Sequence, residues 1–132
     1  MFRIERAAYG LKLTFGDVID AREMEQWVRE SVKHLQSLVG NFGVFVDMRA
    51  LGPLAPDARA LMVEGRKMYK AKGMQRSAII LDNRATSMQL KRLAQQSGIC
   101  KWERYIDATK RPDWEEIGVA WVILADDPDK PN

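Results

Sequence analysis

The sequence predicts a single α/β domain with the element order ββαβαβαβα and a mostly parallel central sheet. Short apolar runs at residues 44–46 and 77–81, the first of them β-branched and aromatic, are typical of strands that are buried on both faces. Longer segments with apolar residues at helical spacing separate these runs, and such alternation favours parallel pairing across right-handed crossovers. The 132 residues, 46% of them hydrophobic and 30% charged, fit one domain. We place this domain at 1–125, followed by a polar tail at 126–132 that we expect to fray.

The chain begins with two short strand candidates at residues 2–8 and 11–15. Apolar and polar residues alternate in the second of them, and the Tyr9-Gly10 pair between them is suited to a tight turn. We therefore expect the sheet to start with an antiparallel hairpin.

The first helix is predicted from Asp17 or Asp20 to about Val39, where Gly40-Asn41 is a suitable helix end. It has one apolar stripe and a charged opposite face. The stripe consists of Met24, Trp27, Val28, Ser31, Leu35 and Leu38. His34, the only histidine, lies at the edge of this stripe. We interpret it as a boundary residue, because no Cys, Asp or Glu stands at ligand spacing from it.

The second helix is predicted at residues 56–72, because a proline and then an aspartate suit a helix N-terminus and a glycine follows its end. Its apolar face consists of Ala58, Leu61, Met62, Gly65, Met68 and Tyr69. A basic face points elsewhere, with Val63 among its residues. This basic face comprises Arg59, Arg66, Lys67 and Lys70. We interpret it as solvated, with an acidic partner or anionic lipid as alternatives. We expect no nucleic-acid binding, because Tyr69 is the only aromatic residue there for stacking on bases.

The rest of the chain is predicted as a third helix at 85–97, a strand at 99–106 and a final helix from Pro112. The inward residues of the third helix are Met88, Leu90, Leu93 and Ala94, and those of the final helix are Trp114, Ile117, Trp121 and Leu124. Charged residues inside the last strand favour a position at the sheet edge, which such residues keep soluble. These residues are Lys101, Glu103 and Arg104.

Residues 43–59 organise the predicted functional surface. They run from a buried strand, which we expect to end at Asp47, through the Gly52-Pro53 loop into the second helix. Open α/β sheets place their binding groups at the carboxyl ends of the strands. We therefore predict a partner-binding surface made of residues that end strands or begin helices on that side. These residues are Asp47, Arg49, Pro56, Asp57, Asn83 and Arg84.

The chain resembles the STAS domain, and within it the bacterial SpoIIAA-like group, in four segments. They are VFVDM at 44–48, AIILDN at 78–83, RYID at 104–107 and AWVIL at 120–124. The resemblance covers nearly the whole chain and rests on element order and hydrophobic pattern. It implies a SpoIIAA-like fold, which is shared with lipid-binding CRAL-TRIO domains. It also implies a non-enzymatic regulatory domain similar to anti-sigma-factor antagonists, which binds a protein partner and forms a homodimer.

The chain departs from phosphorylatable STAS antagonists at their regulatory serine. Asp47 fits the family's strand-end aspartate, but Pro56 and Asp57 stand where the serine pair would be, and Ala58 stands in place of the glycine. No serine or threonine occurs in residues 41–75. We therefore expect no control by serine phosphorylation at this site. Asp57 either holds a permanent charge of phosphate-like sign or is a carboxylate favoured by the helix dipole.

The sequence contains no recognisable motif for catalysis, metal binding or cofactor binding. The GxSxG, Walker A, GxGxxG and HExxH patterns do not occur. Cys100, the only cysteine, is interpreted as a small buried apolar group. It would form a nucleophile–base pair with His34 only if the fold brought the two together. We expect no enzymatic activity, no metal and no cofactor.

The remaining expectations concern the compartment and an alternative function. The charged N-terminus lacks a secretory signal, and no apolar run approaches the roughly 20 residues that span a bilayer, so we expect a cytoplasmic protein without integral membrane association. The net charge of +3 excludes a strong polyanion-binding field. The alternative function is binding or sensing of a small apolar or lipid-like ligand, because four tryptophans and seven methionines supply adaptable apolar lining.

Overall fold

A computed structural model of the protein describes residues 1–130, except for the side chain of Leu93, and confirms the predicted order of elements. The strands are β1 (Phe2–Ala7), β2 (Gly10–Asp17), β3 (Phe42–Leu51), β4 (Met74–Leu81) and β5 (Glu103–Asp107). The helices are α1 (Ala21–Gln36), α2 (Pro56–Ala71), α3 (Arg84–Ser97) and α4 (Trp114–Leu124). A short 3₁₀ helix at Ile99–Lys101 precedes β5.

The five strands form one sheet in the order β1-β2-β3-β4-β5. The β1–β2 pair is antiparallel, and the other three pairs are parallel. Each crossover adds its strand on the same side, so right-handed crossovers place α1, α2 and α3 together on one face, the three-helix face. The fourth helix packs on the opposite face, the α4 face.

The core of the three-helix face is built around Trp27 of α1. Its ring packs edge-on against Phe15 at 5.3 Å and stacks on Tyr69 of α2 at 5.6 Å between centroids. Tyr69 is hydrogen-bonded to Ser31 at 2.7 Å, and burial raises the pKa of its hydroxyl to about 12. Gly65 lets α2 approach, because a Cβ at this position would overlap the Trp27 indole. The contact between α1 and α2 therefore depends on an aromatic residue that faces a glycine.

The α4 face has a smaller core beneath one helix. Its buried sheet residues are Phe45, Ala78, Ile80 and Ile106. Trp121 of α4 covers them and donates from its indole nitrogen to the Ser77 carbonyl at 3.0 Å. Gly43 in β3 leaves room for Val122, because a Cβ there would overlap that side chain. Small residues at the contacts thus let α4 lie close to the sheet.

Several predicted boundaries are corrected by the structure. The third strand does not end at Asp47 but continues to Leu51. Pairing with β4 stops at Asp47, but pairing with β2 continues to Leu51. Residues 99–101 are a 3₁₀ helix, so the last strand begins at Glu103, and it lies at the sheet edge as predicted. The first helix ends at Gln36, one turn earlier than expected.

Two residues predicted to be buried are exposed. Met88 is 51% exposed, because α3 turns its small residues Ser87 and Ala94 toward the sheet. Leu124 is 73% exposed, because it ends α4 beyond the buried Trp121. Both side chains are therefore available for contacts outside the core.

Residues 126–130 of the predicted tail contact the rest of the domain through ion pairs. Asp127 pairs with Arg104 at 2.8 Å, and Asp129 pairs with Lys91 at 2.9 Å. These ion pairs hold the segment against β5 and α3. The last two residues of the predicted tail, at 131–132, lie outside the described residues.

Candidate functional site

Asp47 and Arg49 form a compact charged pair on the α4 face. Arg49 donates from Nε and Nη2 to the two carboxylate oxygens of Asp47 at 3.0 and 2.9 Å, and its guanidinium lies 3.9 Å from the centroid of the Trp114 ring. Burial alone would raise the pKa of the Asp47 carboxyl, but the hydrogen bonds from Arg49 outweigh it and hold the pKa below its usual value. The two charges thus pair with each other, and the guanidinium also packs on Trp114.

We expect Asp47→Asn to lower the free energy of unfolding at pH 7 by about 1 kcal/mol, the usual range for a well-formed charged pair. Because the folded-state pKa is lowered, this stabilisation is present above the ordinary carboxyl pKa near 3.8 and is lost as the pH falls through the folded-state value. Urea unfolding at pH 7 and at pH 3 should therefore show the difference from wild type shrinking in acid. An equal change from Asp126→Asn, in an exposed tail residue, would contradict a specific role for the Asp47–Arg49 pair.

The other predicted surface residues begin helices. Pro56 is the first residue of α2, and the Asp57 carboxylate accepts from the Ala58 backbone at 2.8 Å. Asn83 caps α3, with its side-chain oxygen accepting from the Thr86 backbone at 3.0 Å. These contacts give Asp57 and Asn83 a structural role at the helix N-termini, while leaving both residues exposed.

The predicted surface is divided between two faces of the sheet. Arg84 follows Asn83 at the start of α3, so that the helix-start residues lie on the three-helix face, whereas Asp47 and Arg49 lie on the α4 face. Among residues 1–130 no hydrogen bond or ion pair connects the two groups. They share the end of the sheet at which β3 and β4 finish, and the carboxylate of Asp82, which precedes Asn83, helps to raise the pKa of Arg49.

The predicted basic face is also divided. Arg59, Lys67 and Lys70 are exposed, whereas Arg66 turns toward the sheet and pairs with Glu103 of β5. Lys70 donates to the Met74 carbonyl at 3.2 Å, and its ammonium lies 4.4 Å from the centroid of the Trp102 ring. Two of the four basic residues on α2, Arg66 and Lys70, therefore already contact other parts of the protein.

Glu103 is the centre of a buried polar network under α2. It is 2% exposed and accepts from Ser77 Oγ at 2.8 Å, from Tyr105 Oη and from Arg66 Nη2. Burial and the neighbouring carboxylate raise the pKa of Tyr105, so its hydroxyl stays protonated as a donor. Burial would lower the pKa of Arg66, but Glu103 more than offsets that effect. The carboxylate is thus fully hydrogen-bonded, as a buried charge requires.

Sequence reasoning missed this network. The charge of Glu103 suggested a solvated edge residue, although β5 does lie at the edge. The period-two pattern of a strand was the available signal, because it places Glu103 on the same face as Tyr105. Nothing local indicated Arg66, which lies 37 residues earlier in the chain.

The structure groups few residues of the kind that catalysis uses. No hydrogen bond joins Cys100 to His34 within residues 1–130, and both side chains are half-buried. In the same part of the chain, no three His, Cys, Asp or Glu side chains are placed to hold a metal ion. None of the helices described is long and apolar enough to cross a membrane.

Comparison with known proteins identifies the fold. No protein-family model matches the sequence, and no curated protein matches it significantly. An uncharacterised DUF3478-family protein with a SpoIIAA-like fold, from Shewanella loihica PV-4, aligns with a TM-score of 0.63 at 16% identity, over 86% of this chain and 91% of that one. The anti-sigma-factor antagonist SpoIIAA, in its unphosphorylated form, aligns with a TM-score of 0.56 at 14% identity, over 88% of this chain and 96% of that one. This chain therefore has the SpoIIAA-like fold of STAS domains that its sequence resembles.

Proposed function

We propose that this chain is a non-enzymatic regulatory domain that binds a protein partner where β3 and β4 end. The supporting observation is a pair of largely exposed segments, residues 53–57 and 82–86, that lead into α2 and α3. Since β3 and β4 are neighbours in the sheet and pair in parallel, the two segments leave the sheet at the same end. Met88, 51% exposed one turn into α3, adds an apolar side chain to charged surroundings, as protein-binding sites often do.

The fold supports the same proposal by analogy. One solved protein with this fold is an anti-sigma-factor antagonist, although a shared fold alone does not carry function from one protein to another. The proposal omits serine phosphorylation, because residues 41–75 contain no serine or threonine. It includes a cytoplasmic setting and a homodimer, as expected from the sequence and its resemblance.

We expect Asp57→Arg to weaken binding of the partner by about tenfold or more, because it reverses an exposed charge within the proposed surface. The wild type and the variant would each be immobilised, and the proteins that they retain from a lysate of the source cells would be compared. A retained protein would then be purified and its affinity measured by calorimetry.

The matched control is Glu116→Arg, which makes the same charge change in the first turn of α4 on the opposite face. Both variants lose a favourable contact with a helix dipole, worth about 0.3–1 kcal/mol, so their melting temperatures should fall by similar small amounts. If Asp57→Arg binds the partner as tightly as wild type, or loses no more affinity than Glu116→Arg, the proposed surface is wrong.

A second candidate function, binding of a small apolar or lipid-like ligand, is favoured by a groove of about 530 Å³ beside α2, whose lining includes Met74, Ile99 and Trp102. Native mass spectrometry of freshly purified protein reads the number of subunits and any retained small molecule together. A mass excess that disappears on denaturation would favour the ligand-binding function. A clean mass of twice the chain would favour the protein-binding homodimer.

A further inference from the structure

A groove runs along α2 on the side that faces the 3₁₀ helix. It has a volume of about 530 Å³, within the range of about 300–1,000 Å³ that small-molecule sites occupy. Its apolar lining comes from α2, the start of β4 and the chain just before β5. The lining residues are Val63, Ala71, Met74, Ile99 and Trp102.

The charges of the groove are unbalanced. Arg66, Lys67 and Lys70 line it together with a single carboxylate, that of Glu103. This carboxylate is buried and already accepts three hydrogen bonds, one of them from Arg66. Within residues 1–130 neither lysine has an acidic partner. The groove therefore presents two positive charges beside an apolar surface, and it is complementary to an anion with an apolar tail.

Lys70 is positioned at the groove by two contacts. Its ammonium donates to the Met74 carbonyl and lies over the Trp102 ring. A lysine in the last turn of a helix is expected from the helix dipole, which accounts for Lys70. The helix dipole does not explain why a second lysine, Lys67, lies one turn earlier on the same side of the groove.

The space behind the groove limits what can enter. Arg66 and Glu103 separate it from an interior cavity of only about 20 Å³, which is large enough for about one water molecule. An apolar tail cannot pass into the core and must lie along the surface between α2 and Trp102. The occupant is therefore short, with its head group near the lysines.

We infer that this groove binds a small anionic amphiphile, whose carboxylate or phosphate head contacts Lys67 and Lys70 and whose tail lies on Met74, Ile99 and Trp102. This site is separate from the proposed partner surface, which lies at the other end of α2. The inference holds whether or not that surface binds a protein.

The test measures binding of decanoate and decyl phosphate to the purified protein by tryptophan fluorescence and calorimetry, below their micellar concentrations. Decyltrimethylammonium carries the same tail with a cationic head. We expect both anions to bind at least about tenfold more tightly than the cation. The difference between decanoate and decyl phosphate would show which head group is preferred. We also expect Trp102→Phe to remove the fluorescence change.

The decisive variant is Lys67→Glu/Lys70→Glu, compared with Lys33→Glu/Lys72→Glu, which changes the net charge equally outside the groove. We expect the first pair to weaken decanoate binding by about tenfold or more and the second to change it by less than about twofold. Equal binding of the anions and the cation, or equal losses in the two variants, would overturn the inference. It would also be overturned if the groove variant dissociated an oligomer while decanoate failed to bind, because a second copy would then occupy the groove.

Discussion

Replacement of Arg66 with methionine is expected to lower the free energy of unfolding by about 2 to 3 kcal/mol. Methionine fills much of the same volume without a charge, so the Glu103 carboxylate, which is 2% exposed, would lose its cationic partner. Breaking a fully buried ion pair costs about 3–5 kcal/mol. We expect a smaller loss of stability here, because 37% of the Arg66 side chain is exposed and water can replace part of the interaction. Urea denaturation at pH 7 measures the change.

The matched control for this prediction is Lys67→Met, the same loss of charge at the next residue of α2. Lys67 is exposed and has no ion pair within residues 1–130, so its replacement should change stability by less than about 0.5 kcal/mol. A combined Arg66→Met/Glu103→Leu/Tyr105→Phe variant should recover most of the loss, because it leaves no buried charge uncompensated. If Arg66→Met cost no more than Lys67→Met, the network would not stabilise the fold.

Gly65→Ala is expected to destabilise the protein by about 2 kcal/mol, although alanine normally stabilises a helix by about 1 kcal/mol relative to glycine. The added Cβ would overlap the six-membered ring of the Trp27 indole, which is 1% exposed and stacked on Tyr69. Either α2 must move away from α1 or the indole must leave its stacked position. Thermal and urea unfolding measure the sum of these costs.

The overlap can be separated from helix propensity by two further variants. Ala60→Gly, on the exposed side of α2, reports the propensity effect alone, about 1 kcal/mol. Trp27→Phe removes the outer ring atoms that the new Cβ would meet, so Gly65→Ala/Trp27→Phe should lose less stability than the two single variants together, by about 1 kcal/mol. Additive losses would show that Gly65 and Trp27 do not limit the approach of α2.

The sequence by itself determined the kind and order of the elements. A helix or strand that packs on a core has apolar residues at regular spacing on its buried side. The apolar stripe through Trp27 and Leu35 was therefore sufficient to predict α1. Helix ends depend on short-range backbone requirements that single residues satisfy. Pro56 begins α2, and Gly98, in a left-handed conformation at φ 82°, ends α3.

Only the tertiary structure decided where the charged residues of these elements lie. Asp47 and Arg49 were expected where β3 ends, but the strand continues past them to Leu51, and Arg49 packs on Trp114 of α4. Glu103 lies at the edge strand as predicted, yet it is buried, because an arginine from α2 neutralises it. The sequence pattern of one element indicates only which of its residues share a face. The free energy of burying a charge depends on the partner that the fold brings to it from elsewhere in the chain.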